Sequence, residues 1–496
     1  MLTFLKRFDY IILTNTLIIM TSKKITSLVF FFLFFSFSYT QNSLTPSGGG
    51  EFIFNANKTP CLTDVQREVL LSDIKNGIQQ LKLEKKLVFS KYHKSGGHPL
   101  FIWPVKKKDG LEYNDVWGIS NYVDQNLSYP NQVLDYNCGS KTYDTASGYN
   151  HWGIDIFNWP FQWKMMDNDD VEIIAGAPGQ IILKISAMED RTCSAASDIN
   201  NWNVVVIQHT DGSAAVYGHM KQNSLTTKNV GDMVTEGEFL GIVGSSGNSS
   251  GPHLHFEVYS EIEWDGVGQD ILVDPYAGDC NTMNTDSWWQ DQKPYTNPNI
   301  NAVLTHSTIP VFPDCPTQEI TNESTDFDAS DDIHFGLYMR DQVNGTSINL
   351  KVIRPDNTEV YNWNFPFTAN YNASWFYWNF SNIYDMDGEW KWEATYLDQT
   401  VTNMFNVTGS LNVDEEDFKS TSIYPNPFNA IVNIYSKTKI KSARIVDVLG
   451  KSILEFNKNS EEGIKELNLE KLSKGMYFLT LEGDGNQKKT IKLIKT

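Results

Sequence analysis

The sequence predicts a mostly β protein assembled from several modules, and three observations carry that expectation. Short runs rich in Val, Ile, Phe and Tyr recur, for example at 171–175, 180–185, 204–209, 214–219, 239–243 and 253–259. Turn signals separate them: Ala177-Pro178-Gly179, Asp211-Gly212, Gly231-Asp232 and a Gly/Ser run over 244–251. Strands and helices do not alternate, so antiparallel sheets are expected rather than a parallel one.

At 496 residues the chain has room for three or four domains of about 100–200 residues each. Residues 1–40 read as an export signal: Lys23 and Lys24 precede an apolar run over 28–37 that ends in small and polar residues. Met20 offers an alternative start. A membrane anchor is the competing reading, but the run is short for a bilayer, and no later segment approaches about 18 continuous apolar residues. Residues 41–142 form an N-terminal region with one helix. Its first part, 41–60, reads as flexible because of Ser47-Gly48-Gly49-Gly50. Thr63 with Gln66 then fits a capping box, and Leu70, Ile74, Ile78 and Leu81 recur at helical spacing. This helix is expected to lie on the next domain; control of access to that domain is the alternative.

Residues 143–280 carry the antiparallel β-sheet domain, and 281–302 a polar linker. Residues 303–410 suggest a β-sandwich, with strand patterns at 333–338, 348–353, 375–380 and 390–396. Its many Trp and Tyr residues fit core packing, or a face that stacks on sugars. An acidic linker, 411–420, contains Asp414-Glu415-Glu416-Asp417 and precedes a small β-sandwich over 421–496.

Hydrophobic residues make up 41% of the chain and aromatics 13%, ample for packed cores. The formal net charge of -20 opposes nucleic-acid binding, which needs clustered Lys and Arg, and gives no attraction toward anionic membranes. Residues 420–496 alone carry +5, leaving about -25 for the rest, as expected for a separate module. None of the five cysteines sits in a C-x-x-C pair, so a structural zinc finger is not expected. Export permits disulfides; the pairs expected are Cys138–Cys193 and Cys280–Cys315, with Cys61 left over.

The chemistry begins at His253-Leu254-His255. On a strand, His253, His255 and Glu257 share one face, while Leu254, Phe256 and Val258 share the other. His151-Trp152-Gly153-Ile154-Asp155 places a His and an Asp on one face of an extended chain, with Gly153 leaving the space between them open. Tyr217-Gly218-His219 ends a strand after a hairpin turn. A catalytic zinc takes three protein ligands and keeps an open position for water, whose pKa it lowers toward roughly 7. His151, Asp155 and His255 could supply that set. His219 and His253 would remain free to move a proton or to hydrogen-bond an oxyanion. The helical H-E-x-x-H motif is absent.

These residues resemble the lysostaphin-type zinc metallopeptidases, a family that includes glycyl-glycine and peptidoglycan endopeptidases. The pattern runs from His151 to Asp155, through Tyr217 to His219, then from Gly244 to Glu257, with Gly231-Asp232-Met233-Val234 and Gly237 between. The resemblance implies an antiparallel β fold, a Zn2+ cofactor held by His151, Asp155 and His255, and His219 and His253 as catalytic pair. It implies hydrolysis of peptidoglycan cross-links or glycine-rich peptides. The alternatives are a surface or binding protein with a vestigial metal site, and an endopeptidase acting on matrix-like proteins. His209 reads as a hairpin-end residue, and His93, His98, His306 and His334 lie outside the motifs.

The last module resembles a type IX secretion sorting domain. The similarity rests on Tyr424-Pro425-Asn426-Pro427, Asp447-Val448-Leu449-Gly450-Lys451, Leu472-Ser473-Lys474-Gly475-Met476-Tyr477 and a closing Lys489-Thr490-Ile491-Lys492. It implies a Bacteroidetes-like cell, engagement of the type IX machinery, and export through periplasm and outer membrane to the surface or beyond.

Overall fold

The computed structural model describes residues 44–54, 58–89, 97–193, 202–261, 271–410, 421–436, 439–457, 463–483 and 488–496. The export signal expected at 1–40, the acidic linker at 411–420 and His93 lie outside them. The described chain is mostly β, with mainly antiparallel sheets and two helices.

The N-terminal half contains β1 (Gly48–Glu51), α1 (Asp64–Leu83), β2 (Val105–Lys107), β3 (Trp117–Asn121), β4 (Ile154–Asn158), α2 (Gln162–Asp167), β5 (Val171–Ile174), β6 (Gly179–Ile185), β7 (Val204–Gln208), β8 (Ala214–Gly218), β9 (Met233–Val234), β10 (Phe239–Ile242), β11 (His253–Tyr259) and β12 (Leu272–Val273). The main sheet runs β3-β4-β11-β8-β7-β6-β9, with β12 beside β11. It is buried on both faces. Val205, Ile207, Leu254, Phe256 and Val258 pack into one core. Val204, Val206, Val216 and Tyr259 pack on the other side against Leu70, Ile74, Ile78 and Leu81 of α1. Each of these apolar side chains contributes about 2 kcal/mol on burial, which fixes α1 on the sheet. Thr63 and Gln66 form the reciprocal capping box that starts the helix.

The second half contains β13 (Asn299–His306), β14 (Asp326–Asp328), β15 (Ile333–Gln342), β16 (Ser347–Ile353), β17 (Glu359–Pro366), β18 (Tyr371–Phe380), β19 (Gly388–Tyr396) and β20 (Gln399–Thr408). Two sheets, β1-β18-β15-β13 and β14-β20-β19-β16-β17, enclose a core that includes Trp363, Trp378, Trp390 and Trp392. Those four indoles are therefore packing residues and not a sugar-stacking face. The outer side of the first sheet packs on the main sheet's core through Tyr338, Ala373 and Leu304. Trp159 Nε1 donates to Met339 O at 3.0 Å, and the Arg340 guanidinium lies 3.8 Å from the Trp117 ring centroid.

Three expectations need correction. Gly48–Glu51, read as flexible, is a strand hydrogen-bonded along β18. The glycines are there for close approach: a Cβ on Gly49, at φ +112°, would lie 2.2 Å from Trp375 O. Residues 281–302, read as a linker, bury Trp288 and Trp289 and begin β13. The cysteines pair as Cys138–Cys280 and Cys193–Cys315. The turn carrying Cys138 lies against the 276–280 segment, where Cys280 N donates to Tyr136 O and the rings of Tyr136 and Tyr276 stack. Spacing along the chain could not reveal that contact. Cys61 is free, as expected, and buried.

The C-terminal module contains β21 (Ser422–Tyr424), β22 (Ile431–Tyr435), β23 (Ile440–Asp447), β24 (Ser452–Asn457), β25 (Glu466–Asn468), β26 (Gly475–Gly483) and β27 (Lys488–Lys495). Two small sheets, β21-β22-β25 and β24-β23-β26-β27, share a core that includes Val432, Ile445, Leu479 and Leu493.

Candidate active site

Antiparallel register brings the motifs together. β11 lies between β4 and β8, with His255 opposite Asp155 on one side and Gly218 on the other. Residues directly opposite on neighbouring strands share a face, so the Asp155 and His255 side chains meet. His253 is one step along the same face. His151 precedes β4, and His219 follows β8 at φ 59°, a left-handed conformation rare for a non-glycine residue. All five side chains are buried, at most 2% exposed.

Asp155 is the hub. Its Oδ2 lies 3.0 Å from His151 Nε2, and its Oδ1 lies 2.8 Å from His255 Nδ1. Asn121 Nδ2 donates to Oδ2 at 2.9 Å. The outward nitrogens of both imidazoles are engaged. His151 Nδ1 is 2.8 Å from Tyr122 O, and His255 Nε2 is 2.8 Å from Glu257 Oε1. A proton held outward on each ring leaves His151 Nε2 and His255 Nδ1 as the nitrogens that face Asp155, where a bound cation would meet their lone pairs. Glu257 is held in turn by Arg67 Nη1 at 2.8 Å and by the Tyr259 hydroxyl at 2.6 Å. Arg67 comes from α1 and stacks over Trp152.

His219 and His253 form a second pair, with ring centroids 4.5 Å apart. His219 Nδ1 donates to Ser246 O at 2.6 Å and His253 Nδ1 to Gly251 O at 2.9 Å. The Nε2 atoms of both are buried without a hydrogen-bond partner. Two orphaned imidazole nitrogens beside two oriented imidazoles and a carboxylate are the donor set that suits a divalent zinc-like cation. A Cβ on Gly153 would sit 2.6 Å from His255 Cε1, so only glycine leaves that ring its place.

Charge shifts follow the geometry. Burial and the His151 and His253 charges act on Asp155 in opposite senses, and its pKa ends well below the usual carboxylate range. Burial opposes the charge on His151, but Asp155 prevails and lifts it to about 9. Asp155 likewise raises His253 against burial. Burial and the neighbouring His253 lower His219. Glu257 is depressed because Arg67 and His255 outweigh its burial.

Sequence reasoning missed Cys61, whose Sγ stands 3.8 Å from Asp155 Oδ1 and 3.9 Å from His151 Nε2. Burial and Asp155 push its thiol up, but the neighbouring imidazoles of His255, His151 and His219 hold it well below its usual value. Its one visible signal was that it is the odd cysteine in the chain. Asn121 and Arg67 carried no motif. Glu257 was legible from strand alternation. His209 is buried at the far end of β7, with Nδ1 2.9 Å from Pro178 O. His98 stacks on Trp288, and His306 hydrogen-bonds Tyr338; neither joins the cluster.

Residues 165–270 match the model for peptidase family M23. The matched segment is thus similar to M23 peptidase domains. It includes His219, His253 and His255; His151 and Asp155 lie just ahead of the matched residues. Residues 422–496 match a secretion system C-terminal sorting domain. The chain is similar to the DD-carboxypeptidase/endopeptidase Mpg of Neisseria meningitidis serogroup B, and to that of Neisseria gonorrhoeae. Each is 44% identical over 55 residues, 11% of this chain and 12% of the relative's length. Among solved structures it is similar to a mutant catalytic domain of the prophage-encoded M23 protein EnpA from Enterococcus faecalis. That match is 25% identical with TM-score 0.19, covering 36% of this chain and 94% of that one. A putative peptidase M23 from Pseudomonas aeruginosa is 21% identical with TM-score 0.16, covering 38% and 57%. Among the described residues no helix is long and apolar enough to cross a membrane.

Proposed function

We propose that this chain is an exported zinc metalloendopeptidase that hydrolyses short, flexible peptide bonds in peptidoglycan cross-links or glycine-rich peptides. The observation that carries the reading is the double engagement of Asp155, 3.0 Å from His151 Nε2 and 2.8 Å from His255 Nδ1, beside two orphaned imidazole nitrogens. His151, Asp155 and His255 hold the metal. When bound, zinc supplies Lewis acidity for the scissile carbonyl and lowers the pKa of water at its open position.

The chain's own groups do the rest. Tyr122 O and Glu257 fix the tautomers of His151 and His255, which keeps the correct lone pairs inward. Ser246 O and Gly251 O do the same for His219 and His253. Of those two, one accepts a proton at Nε2 and the other, as the doubly protonated imidazolium, donates its Nε2–H to the developing oxyanion. The endopeptidase name of the Neisseria relatives supports wall peptides as substrate. The sorting domain at 422–496 supports delivery by the type IX machinery to the surface or outside, which favours a foreign wall or an environmental glycine-rich protein over the cell's own wall.

Metal analysis of the purified chain should find stoichiometric zinc that a chelator removes and that His255→Ala does not retain. Mass spectrometry of products from wall fragments then identifies the scissile bond. Undiminished zinc in both His255→Ala and His151→Ala would overturn the ligand assignment.

A further inference from the structure

Cys61 takes part in neither disulfide, and its surroundings are not those of an ordinary buried thiol. A cysteine kept for packing is walled by hydrocarbon. Here the walls are imidazoles, a carboxylate and the Tyr143 hydroxyl, 3.5 Å away. The potential ligand atoms of Cys61, His151, Asp155 and His255 all lie within 4.8 Å of one another, and so do those of Cys61, His219 and His253. The sulfur thus stands between the ligand set and the proton-moving pair, in the space that a scissile carbonyl must enter. Metal bonds of about 2.3 Å to sulfur and 2.1 Å to nitrogen or oxygen, set at a tetrahedral angle, separate the donors by about 3.6 Å. The observed 3.9 and 3.8 Å to His151 and Asp155 are close to that.

The segment bearing Cys61 is anchored on both sides of the site. Upstream, β1 is hydrogen-bonded into the sandwich, and Phe54 packs edge-on against His253. Nearer the sulfur, Lys58 Nζ donates to Asn121 Oδ1 at 3.1 Å, and Thr59 O accepts from Tyr143 at 2.9 Å. Downstream, the capping box at Thr63 opens α1.

We propose that Cys61 is a fourth protein ligand of the metal, bound as thiolate, and that this strap holds the peptidase latent. The inference rests on the zinc reading above. Four protein donors close a site that catalysis needs open. On ligation the thiol releases its proton to solvent, and on leaving it takes one back, so no oxidant or reductant is involved. Release requires only that residues 58–62 shift, breaking the Lys58 and Thr59 contacts. Arg67 can stay on α1 and continue to hold Glu257.

The test uses the full chain loaded with Co2+ in place of zinc, as wild type, Cys61→Ser and Cys61→Ala. The wild type should show a thiolate-to-cobalt charge-transfer band in the near ultraviolet, and both variants should bind cobalt without it. With zinc, both variants should cleave a glycine-rich peptide about tenfold faster than wild type, or more. Cobalt bound to the wild type without the band would overturn Cys61 ligation and leave the three-residue site standing. A band present in the wild type, with variants no faster than it, would overturn latency. Failure of the wild type and both variants to bind metal would overturn the zinc reading, and this inference with it.

Discussion

Arg67→Met isolates the outermost support of the site. The Arg67 and Glu257 side chains are 6% and 0% exposed, with Nη1 2.8 Å from Oε2. At an effective dielectric of about 20, that separation corresponds to about 6 kcal/mol of Coulomb attraction, part of which offsets desolvation of the two ions. Methionine keeps most of the volume over Trp152 but leaves Glu257 a buried carboxylate with Tyr259 and His255 as its remaining short donors. Breaking such a pair costs about 3–5 kcal/mol. Urea denaturation of the metal-free chain should show that loss as a lower midpoint with an unchanged slope. Arg67→Met with Glu257→Gln should recover much of it, because no charge is then stranded. Weakening the Glu257 contact to His255 Nε2 should also cost about 10–100-fold in zinc affinity. A loss below about 1 kcal/mol for the single variant, or a double variant as unstable as the sum of both singles, would refute the reasoning.

Gly153→Ala should leave the far-ultraviolet spectrum unchanged yet lower zinc affinity about tenfold or more, as read by competition with a chromophoric chelator, because the new Cβ displaces the His255 ring. Trp392→Ala should cost about 3–5 kcal/mol in the sandwich core without changing zinc content, as checked by thermal melts and metal analysis. His306 is fully buried between Thr321 O and the Tyr338 hydroxyl. Burial lowers its pKa to about 4, against the raising effect of Glu323. Its folded value lies below its unfolded one, so the stability it contributes is present above about pH 6.5 and is lost as pH falls toward 4, by about 3 kcal/mol in all. Melts of wild type and His306→Gln across that window should show the variant losing less.

That the five candidate positions would meet was readable because the motifs are local and strand alternation is strict. His253, His255 and Glu257 had to share a face, and Gly153 had to leave room. The partners were not readable. Arg67 is one polar residue on an amphipathic helix, and nothing in its neighbours shows that it reaches a carboxylate 190 positions away. Cys61 looked like a remainder because the two true disulfides join segments that meet only in the folded chain. The glycines at 48–50 signalled flexibility by composition, whereas their lack of a Cβ serves tight contact with β18. The sandwich aromatics read as core packing, with a sugar-stacking face as the alternative, and the four tryptophans could be placed in the core only once both sheets were in place.

β1 has a second bearing on the molecule. It closes the β18 edge of its sheet, where Gly48 to Glu51 lie along Ser374 to Tyr377. A chain beginning after Glu51 would present that edge as a row of unpaired backbone amides and carbonyls, flanked by Trp375 and Tyr377. Exposed edges of this kind recruit any extended segment that can pair with them. Trimming the N-terminus would thus leave the sandwich with an adhesive rim, and sample preparations that lose those few residues should self-associate.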